Sequence, residues 1–313
     1  MTFAQKNKKI INRILSVIIP ISRLRHRIRH MLFSDYGFWG SFYRNMWLKN
    51  CEKRFNKQDL NVPFLSIVAI IKNEGPYLQE WIEYHRIVGV EKFFIYDNES
   101  SDNTREILQP YIDSGVVEYT YYPGVAKQCS AYNDCLVRHH MDTHWLAIID
   151  LDEFIVPIKF DSITEILKNI PAEYTQIQID WQIFGSNGHI EKPDGLVIEN
   201  YTKRASQGWL YKSIINPRMC ISADVHTHDC FGKILKLSTN DIQINHYYCK
   251  SWAEYQRRKN RGDATMETIS ANRYNHEQFN FHDKNDIVDE LVLRYLSELK
   301  QKMSKHSGPV IQD

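Results

Sequence analysis

Asp150 and Asp152 stand one residue apart in Asp150-Leu-Asp-Glu-Phe154, directly after the apolar run His144-Trp-Leu-Ala-Ile-Ile149. A buried strand gains nothing from two carboxylates at its end, because unpaired buried charge costs several kcal/mol. Such a pair calls for a cation. Strand alternation sends both side chains to one side, about 7 Å apart along an extended chain. A slight bend then lets both reach one hard divalent ion, Mn2+ or Mg2+, which can in turn carry a diphosphate.

The elements that must position this pair read as a β/α alternation. Phe64-Leu-Ser-Ile-Val-Ala-Ile-Ile71 is a continuous apolar run, the mark of a strand buried on both faces. Lys72-Asn-Glu-Gly-Pro76 is a turn, and Leu78, Trp81, Ile82 and His85 then recur at helical spacing. Further strands are expected at 92–96 and 116–121, with helices through Leu108 and from about Val125 to His140. Repeats of this length imply an α/β fold, a mostly parallel central sheet with helices on both faces. Ligands in such sheets bind at the carboxyl ends of strands. Lys72, Asn73 and Glu74, then Asp97 and Asn98, then Asp150 and Asp152 all fall there. After Pro157 the pattern becomes mixed. A helix is expected near 161–169, strands at 176–180, 210–215 and 242–247, and helical stretches at 251–260 and 284–302.

Composition is that of an ordinary globular chain. The 313 residues carry a net charge of +1, which gives no electrostatic case for nucleic acid. Residues 1–30 hold eight Lys or Arg and no Asp or Glu, so the remainder carries −7. Ile14 to Ile21 is apolar but far shorter than the roughly 20 residues that span a bilayer. With Arg23, Arg25, Arg27 and Arg29 behind it, residues 8–30 are expected to touch an anionic membrane surface peripherally. That reading puts the protein in the cytoplasm, at the inner face of the membrane. Six cysteines, with no metal-ligand spacing, read as reduced thiols. The expected divisions are a basic leader (1–62), a main domain (63–265) and a helical C-terminal extension (266–313).

Lys72-Asn-Glu74, Glu80-Trp-Ile-Glu-Tyr-His85, Ile95-Tyr-Asp-Asn-Glu-Ser100, Asp150-Leu-Asp-Glu-Phe154, Trp181-Gln-Ile-Phe-Gly-Ser186 and Asn245-His-Tyr-Tyr-Cys-Lys-Ser251 occur in that order. As a set they resemble glycosyltransferase family 92, over about residues 64–262. The resemblance implies a GT-A fold and a metal-dependent, inverting transferase. Its donor would be a UDP-sugar, with galactose the best-known sugar, and its acceptor a glycan or glycolipid hydroxyl. It further implies that Asp150 and Asp152 form the metal-diphosphate site, with His246 as a further metal ligand; His226 and His228 are a competing pair. Asp97 and Asn98 would meet the nucleoside, with Lys72, Asn73 and Glu74 lining the same pocket. Gln128 and Asn133 would face the donor, and Lys250, with Arg257, Arg258 and Arg261, would neutralise diphosphate. For the arginines, solvation of a charged helix face is the preferred account.

A single displacement needs a carboxylate to take the acceptor proton. Asp180, Asp229, Asp224 and Glu153 are chemically able. Asp180 is preferred because it is expected to end a strand just before the 181–188 loop, where Trp181 and Phe184 could stack on a sugar. Two other functions are weighed. A nucleotidyltransferase would show a Gly-rich basic loop after its first strand, and Lys72-Asn-Glu-Gly-Pro76 has one Gly and an acid there. A non-catalytic glycan-binding module would be expected to lose the paired carboxylates, which are intact.

Overall fold

The computed structural model describes residues 61–261 and 274–306; the basic leader with its expected membrane contact at 8–30, Cys51, and the side chain of Arg261 lie outside what is described. The first half alternates as its periodicity requires. β1 (Leu65–Ile71) leads to α1 (Gly75–Ile87), β2 (Lys92–Asp97) to α2 (Thr104–Asp113), and β3 (Val117–Tyr121) to α3 (Gln128–His139), before β4 (Trp145–Ile148). All seven residues of β1 are buried. Pro76 sits in the first turn of α1, where its missing N–H has no helical acceptor to lose.

The second half is more broken than its sequence suggests. It runs β5 (Glu153–Pro157), α4 (Ile163–Lys168), β6 (Tyr174–Ile183), α5 (Val197–Asn200), β7 (Lys203–Arg204) and β8 (Tyr211–Ile215). Then follow β9 (Cys220–Ala223), β10 (His228–Cys230), β11 (Lys233–Lys236), β12 (Ile242–His246), α6 (Trp252–Arg261), α7 (His276–His282), β13 (Ile287–Val288) and, after a short 3-10 turn, α8 (Leu296–His306). The helix expected over 284–302 is therefore only its last part. Residues 287–288 are claimed by pairing with β7, and Asp289 turns in to bind Arg204 at 2.7 Å. α8 packs on α1, where Gln79 donates to the Met303 carbonyl at 3.1 Å.

One nine-stranded sheet carries the molecule, in the order β3-β2-β1-β4-β8-β6-β12-β5 with β11 added on β6. β1 to β4 pair in parallel, β8 runs antiparallel to β4 and β6, and β12 is parallel to β6 but antiparallel to β5. This is the expected α/β fold, a parallel half flanked by helices and a mixed C-terminal half. β4 and β5 are consecutive in the chain, yet three strands separate them in pairing order. Neighbouring strands lie about 4.8 Å apart, so a flat sheet would put the two roughly 19 Å apart. A four-residue turn cannot bridge that distance, so the sheet curls to bring the end of β4 within reach of the start of β5. The turn at that closure is Ile149-Asp-Leu-Asp152.

Candidate active site

The turn is held from three directions. The Glu153 amide donates to the Asp150 carbonyl at 3.1 Å, the Asp150 amide to Glu153 Oε2 at 3.0 Å, and the Tyr247 amide to the Asp152 carbonyl at 2.8 Å. α1 clamps the strand that follows. Trp81 Nε1 donates to the Glu153 carbonyl at 2.8 Å and the Tyr84 hydroxyl to the Ile155 carbonyl at 3.1 Å. His85 accepts from the Ile155 amide at 3.3 Å through Nε2, so its Nδ1 carries the proton donated to the Trp81 carbonyl at 2.8 Å. Burial pushes the His85 imidazole down to about 3, which keeps it neutral and able to accept. Glu80 takes the Val197 and Ile198 amides at the start of α5. The Glu80-Trp-Ile-Glu-Tyr-His85 segment is thus a scaffold behind the carboxylate turn.

Because residues 150–153 form a turn rather than an extended strand end, the two carboxylates do not share one face. This corrects the alternation expected from sequence. Asp150 faces α3 and β8. Its Oδ1 accepts from Gln128 Nε2 at 2.7 Å and from the Tyr132 hydroxyl at 2.9 Å, and its Oδ2 is paired with Lys212 Nζ at 2.8 Å. Lys212 is fully buried and also lies 3.6 Å from Glu153 Oε1. Burial alone would lower the lysine; Asp150, then Glu153, outweigh it and hold it raised and charged. Glu153 is itself fully buried, and that burial pushes its carboxyl well above the usual range despite Lys212. A carboxyl sealed from solvent is out of reach of an acceptor hydroxyl, which counts against the catalytic role expected for it.

Asp152 faces β12 and α6. Arg258 donates to its Oδ2, and His246 Nε2 lies 3.6 Å from the same oxygen. Burial alone would raise the Asp152 carboxyl, but Arg258 and then His246 hold it well below the carboxylate range. The His246 ring packs 4.1 Å from Trp181, between centroids, and its Nδ1 is buried without a hydrogen-bond partner. Local sequence explains how Arg258 arrives. Ser251 and Glu254 form a capping box that starts α6: the Glu254 amide donates to Ser251 Oγ at 3.2 Å, and the Ser251 amide to Glu254 Oε2 at 3.1 Å. Arg257 and Arg258 follow one turn later. They open on a cavity of about 410 Å3 bounded by Asn73 and Glu74 after β1 and by Lys250 beside α6. Lys250 Nζ lies 3.5 Å from the centre of the Tyr77 ring. Burial, with Arg258 next, pushes its amine down to about 8.

The other sequence-derived residues divide. Asn73 sits at the cavity mouth in a left-handed conformation (φ 52°), its side chain taken by the Ser101 amide at 2.7 Å. Lys72 is half-buried beside it. Asp97 accepts from the Tyr119 hydroxyl at 2.7 Å and the Ser100 amide at 2.8 Å, and Asn98 donates to the Tyr122 and Gly124 carbonyls. In this structure both residues hold the loops after β2 and β3. Gln128 reaches the turn through Asp150. Asn133 does not: its three hydrogen bonds go to the Cys129 carbonyl and to the Ala223 amide and carbonyl, so it latches β9 to α3. Asp180 is corrected as well. It lies inside β6, one residue from Trp181 and hence on the opposite face, paired with Lys236 at 2.9 Å. Asp229 and Asp224 are exposed on the β9–β10 ribbon, and hydrogen bonds from the Cys129 thiol and the Val225 amide hold the Asp224 carboxyl low. His226 packs 5.1 Å from Trp181; burial, then Lys212, pushes His228 down to about 4.

Sequence reasoning passed over Lys212 and left Arg258 to solvation. A lysine inside Tyr211-Lys-Ser-Ile-Ile215 was a signal in principle, since an apolar strand seldom buries one without an acid. The donor set at the turn fits a divalent cation. Asp152, Glu153 and His246 each offer a ligand atom, and these lie within 4.8 Å of one another. Carboxylate oxygens with a neutral imidazole suit a manganese-like ion. Asp150 lies outside that group, its oxygens occupied by Lys212, Gln128 and Tyr132.

The model of glycosyltransferase family 92 matches residues 71–303. A family 92 protein of Oryza sativa subsp. japonica is 28% identical over 201 residues, covering 61% of this chain and 34% of its own length. A galactan beta-1,4-galactosyltransferase of Arabidopsis thaliana is 26% identical over 194 residues, covering 55% and 38%. The chain thus spans little more than a third of the length of these curated relatives. Among solved structures, S. aureus TarS 1–349 in complex with UDP-GlcNAc is similar at a TM-score of 0.40 and 12% identity, over 77% of this chain and 73% of that one.

Proposed function

The chain belongs to glycosyltransferase family 92, and from that premise we propose that it transfers galactose from UDP-galactose to a glycan or glycolipid hydroxyl, with inversion and with a divalent cation. One observation carries the reading: an ionised carboxylate and an imidazole, Asp152 and His246, meet beside a cavity bounded by Lys250, Arg257 and Arg258. The galactose assignment is supported by the galactan beta-1,4-galactosyltransferase among its relatives.

Asp152 and His246 would hold the cation, Mn2+ or Mg2+, with Glu153 behind them. The bound ion supplies positive charge to the departing diphosphate. Lys250, Arg257 and Arg258 line the neighbouring cavity and add fixed positive charge there. The acceptor proton goes to the β9–β10 ribbon, where Asp224 and Asp229 are exposed; Glu153 is sealed and Asp180 faces away. Peripheral attachment to an anionic membrane through residues 8–30, at the cytoplasmic face, completes the proposal; among the described residues no helix is long and apolar enough to cross a bilayer.

Calorimetry with UDP-galactose, UDP-glucose and UDP-N-acetylhexosamines, with Mn2+ or with chelator, tests this reading. Tightest binding is expected for UDP-galactose with Mn2+. Equal binding in chelator would remove the cation from the proposal. Folded protein that binds no UDP-sugar would overturn it.

A further inference from the structure

Cys220 and Cys230 are direct cross-strand partners in the β9–β10 ribbon, where the register shifts by a bulge next to the pair. Their Sγ atoms lie 2.7 Å apart, too close for a pair without a bond or a shared proton between them. Two thiols opposed on neighbouring antiparallel strands fall within the span a disulfide bridges, since Cα separations of about 4.4–6.8 Å accept one and strand partners lie at about 4.5–5.5 Å. We propose that Cys220 and Cys230 form a dithiol site that closes to a disulfide, with a low-molecular-weight disulfide such as oxidised glutathione as the oxidant.

The step balances without any group from the active site. The Cys230 thiolate attacks one sulfur of the small disulfide and expels one small thiolate, leaving a mixed disulfide on Cys230. The Cys220 sulfur then attacks Cys230 Sγ and expels the second small thiolate. Two protein thiols are oxidised, one small disulfide is reduced to two thiols, and these take up the two protons. Cys220 suits the second role. Burial, with Cys230 next to it, pushes its thiol well above the usual range, so it is a poor first nucleophile.

The ribbon gives the bond something to hold. β9 and β10 form a two-stranded sheet of their own, and an isolated pair of strands is marginal by itself. Between the two cysteines lies Asp224-Val-His-Thr227. Its His226 Nδ1 reaches the Tyr211 carbonyl at 2.8 Å and its ring packs on Trp181. Asn133 and Cys129 tie only the β9 side to α3. A Cys220–Cys230 bond adds a covalent tie across the two strands, and so stiffens the segment that carries His226, Asp224 and Asp229.

The test is to equilibrate the folded full chain in glutathione buffers from fully reduced to fully oxidised, trap thiols with an alkylating agent and map peptides by mass. The expected result is a Cys220–Cys230 linked peptide, lighter by two hydrogens, that disappears on reduction and raises the midpoint of thermal unfolding by a few degrees. In Cys220→Ser, Cys230 should instead be trapped as the mixed disulfide with glutathione, because its resolving partner is gone. Full alkylation of both cysteines in the oxidised buffer, with circular dichroism native, would overturn the proposal. So would a link from Cys230 to any other cysteine. Cys129→Ser serves as a control that keeps the pair and should leave the linked peptide unchanged.

Discussion

Asp150 and Asp152 are the same residue type, two apart, in one four-residue turn, yet their surroundings differ in kind. On the Asp150 side Lys212, Gln128 and Tyr132 all bind the half-buried carboxylate, and the lysine is wholly buried. On the Asp152 side the carboxylate meets an imidazole and a guanidinium, and Arg258, which carries the guanidinium, lines a cavity. One side fastens the turn to the sheet, and the other sets charge beside a cavity. A short acidic motif therefore need not act as one unit. Its members take their roles from whichever cation the fold delivers to each.

The largest expected effect breaks the fastening side. Lys212→Met leaves the fully buried Glu153 and the half-buried Asp150 without their cation, and it should cost about 3–5 kcal/mol in chemical denaturation. Lys212→Met combined with Asp150→Asn should recover part of that loss. A single variant that is as stable as wild type but fails to bind Mn2+ would reverse the comparison and place Lys212 with the ligand side.

Asp152→Asn sharpens the other side. Mn2+-dependent turnover should fall on the order of 10²-fold or more, while stability changes far less than in the lysine variant. Asp150→Asn should show the converse, a lowered unfolding midpoint with Mn2+ affinity nearly kept, as read by electron paramagnetic resonance of added Mn2+. Equal loss of Mn2+ binding in both variants would return the pair to a single site.

Trp81→Phe tests the clamp that both sides share. It leaves the Glu153 carbonyl without its 2.8 Å donor, at an expected cost of about 1–1.5 kcal/mol. Because the turn moves as a whole, Mn2+ affinity should weaken alongside stability. If stability falls with Mn2+ affinity intact, the clamp serves only the fastening side.

The smallest effect is in pH. Lys250, at about 8, loses its positive charge as pH rises through that value, so UDP affinity should decline a few-fold between pH 7 and pH 9. Its folded value lies below the unfolded value of about 10.4, so the unfolded chain holds the extra proton between the two. This group therefore makes stability rise with pH across that window while binding falls. Lys250→Met should flatten the binding profile; an unchanged profile would assign the alkaline limb to another group.

The sequence by itself determined the elements of the parallel half, the polar clusters at their carboxyl ends and the acidic turn that follows β4. Those are local: apolar runs, period 3.6 spacing and turn residues act over a few positions. It also carried the helix from Gly75 to Ile87, though not the use of Trp81, Tyr84 and His85 as a clamp on β5. Tertiary structure alone decided which cation reached each carboxylate, for Lys212 lies 62 residues from Asp150 and Arg258 lies 106 from Asp152. It also decided the face of Asp180, because β6 continues three residues past it and alternation then turns it from Trp181. The physical reason is range. Spacing along the chain fixes which side chains share a face, but a charge takes its partner across the curl of the sheet, where no local pattern records it.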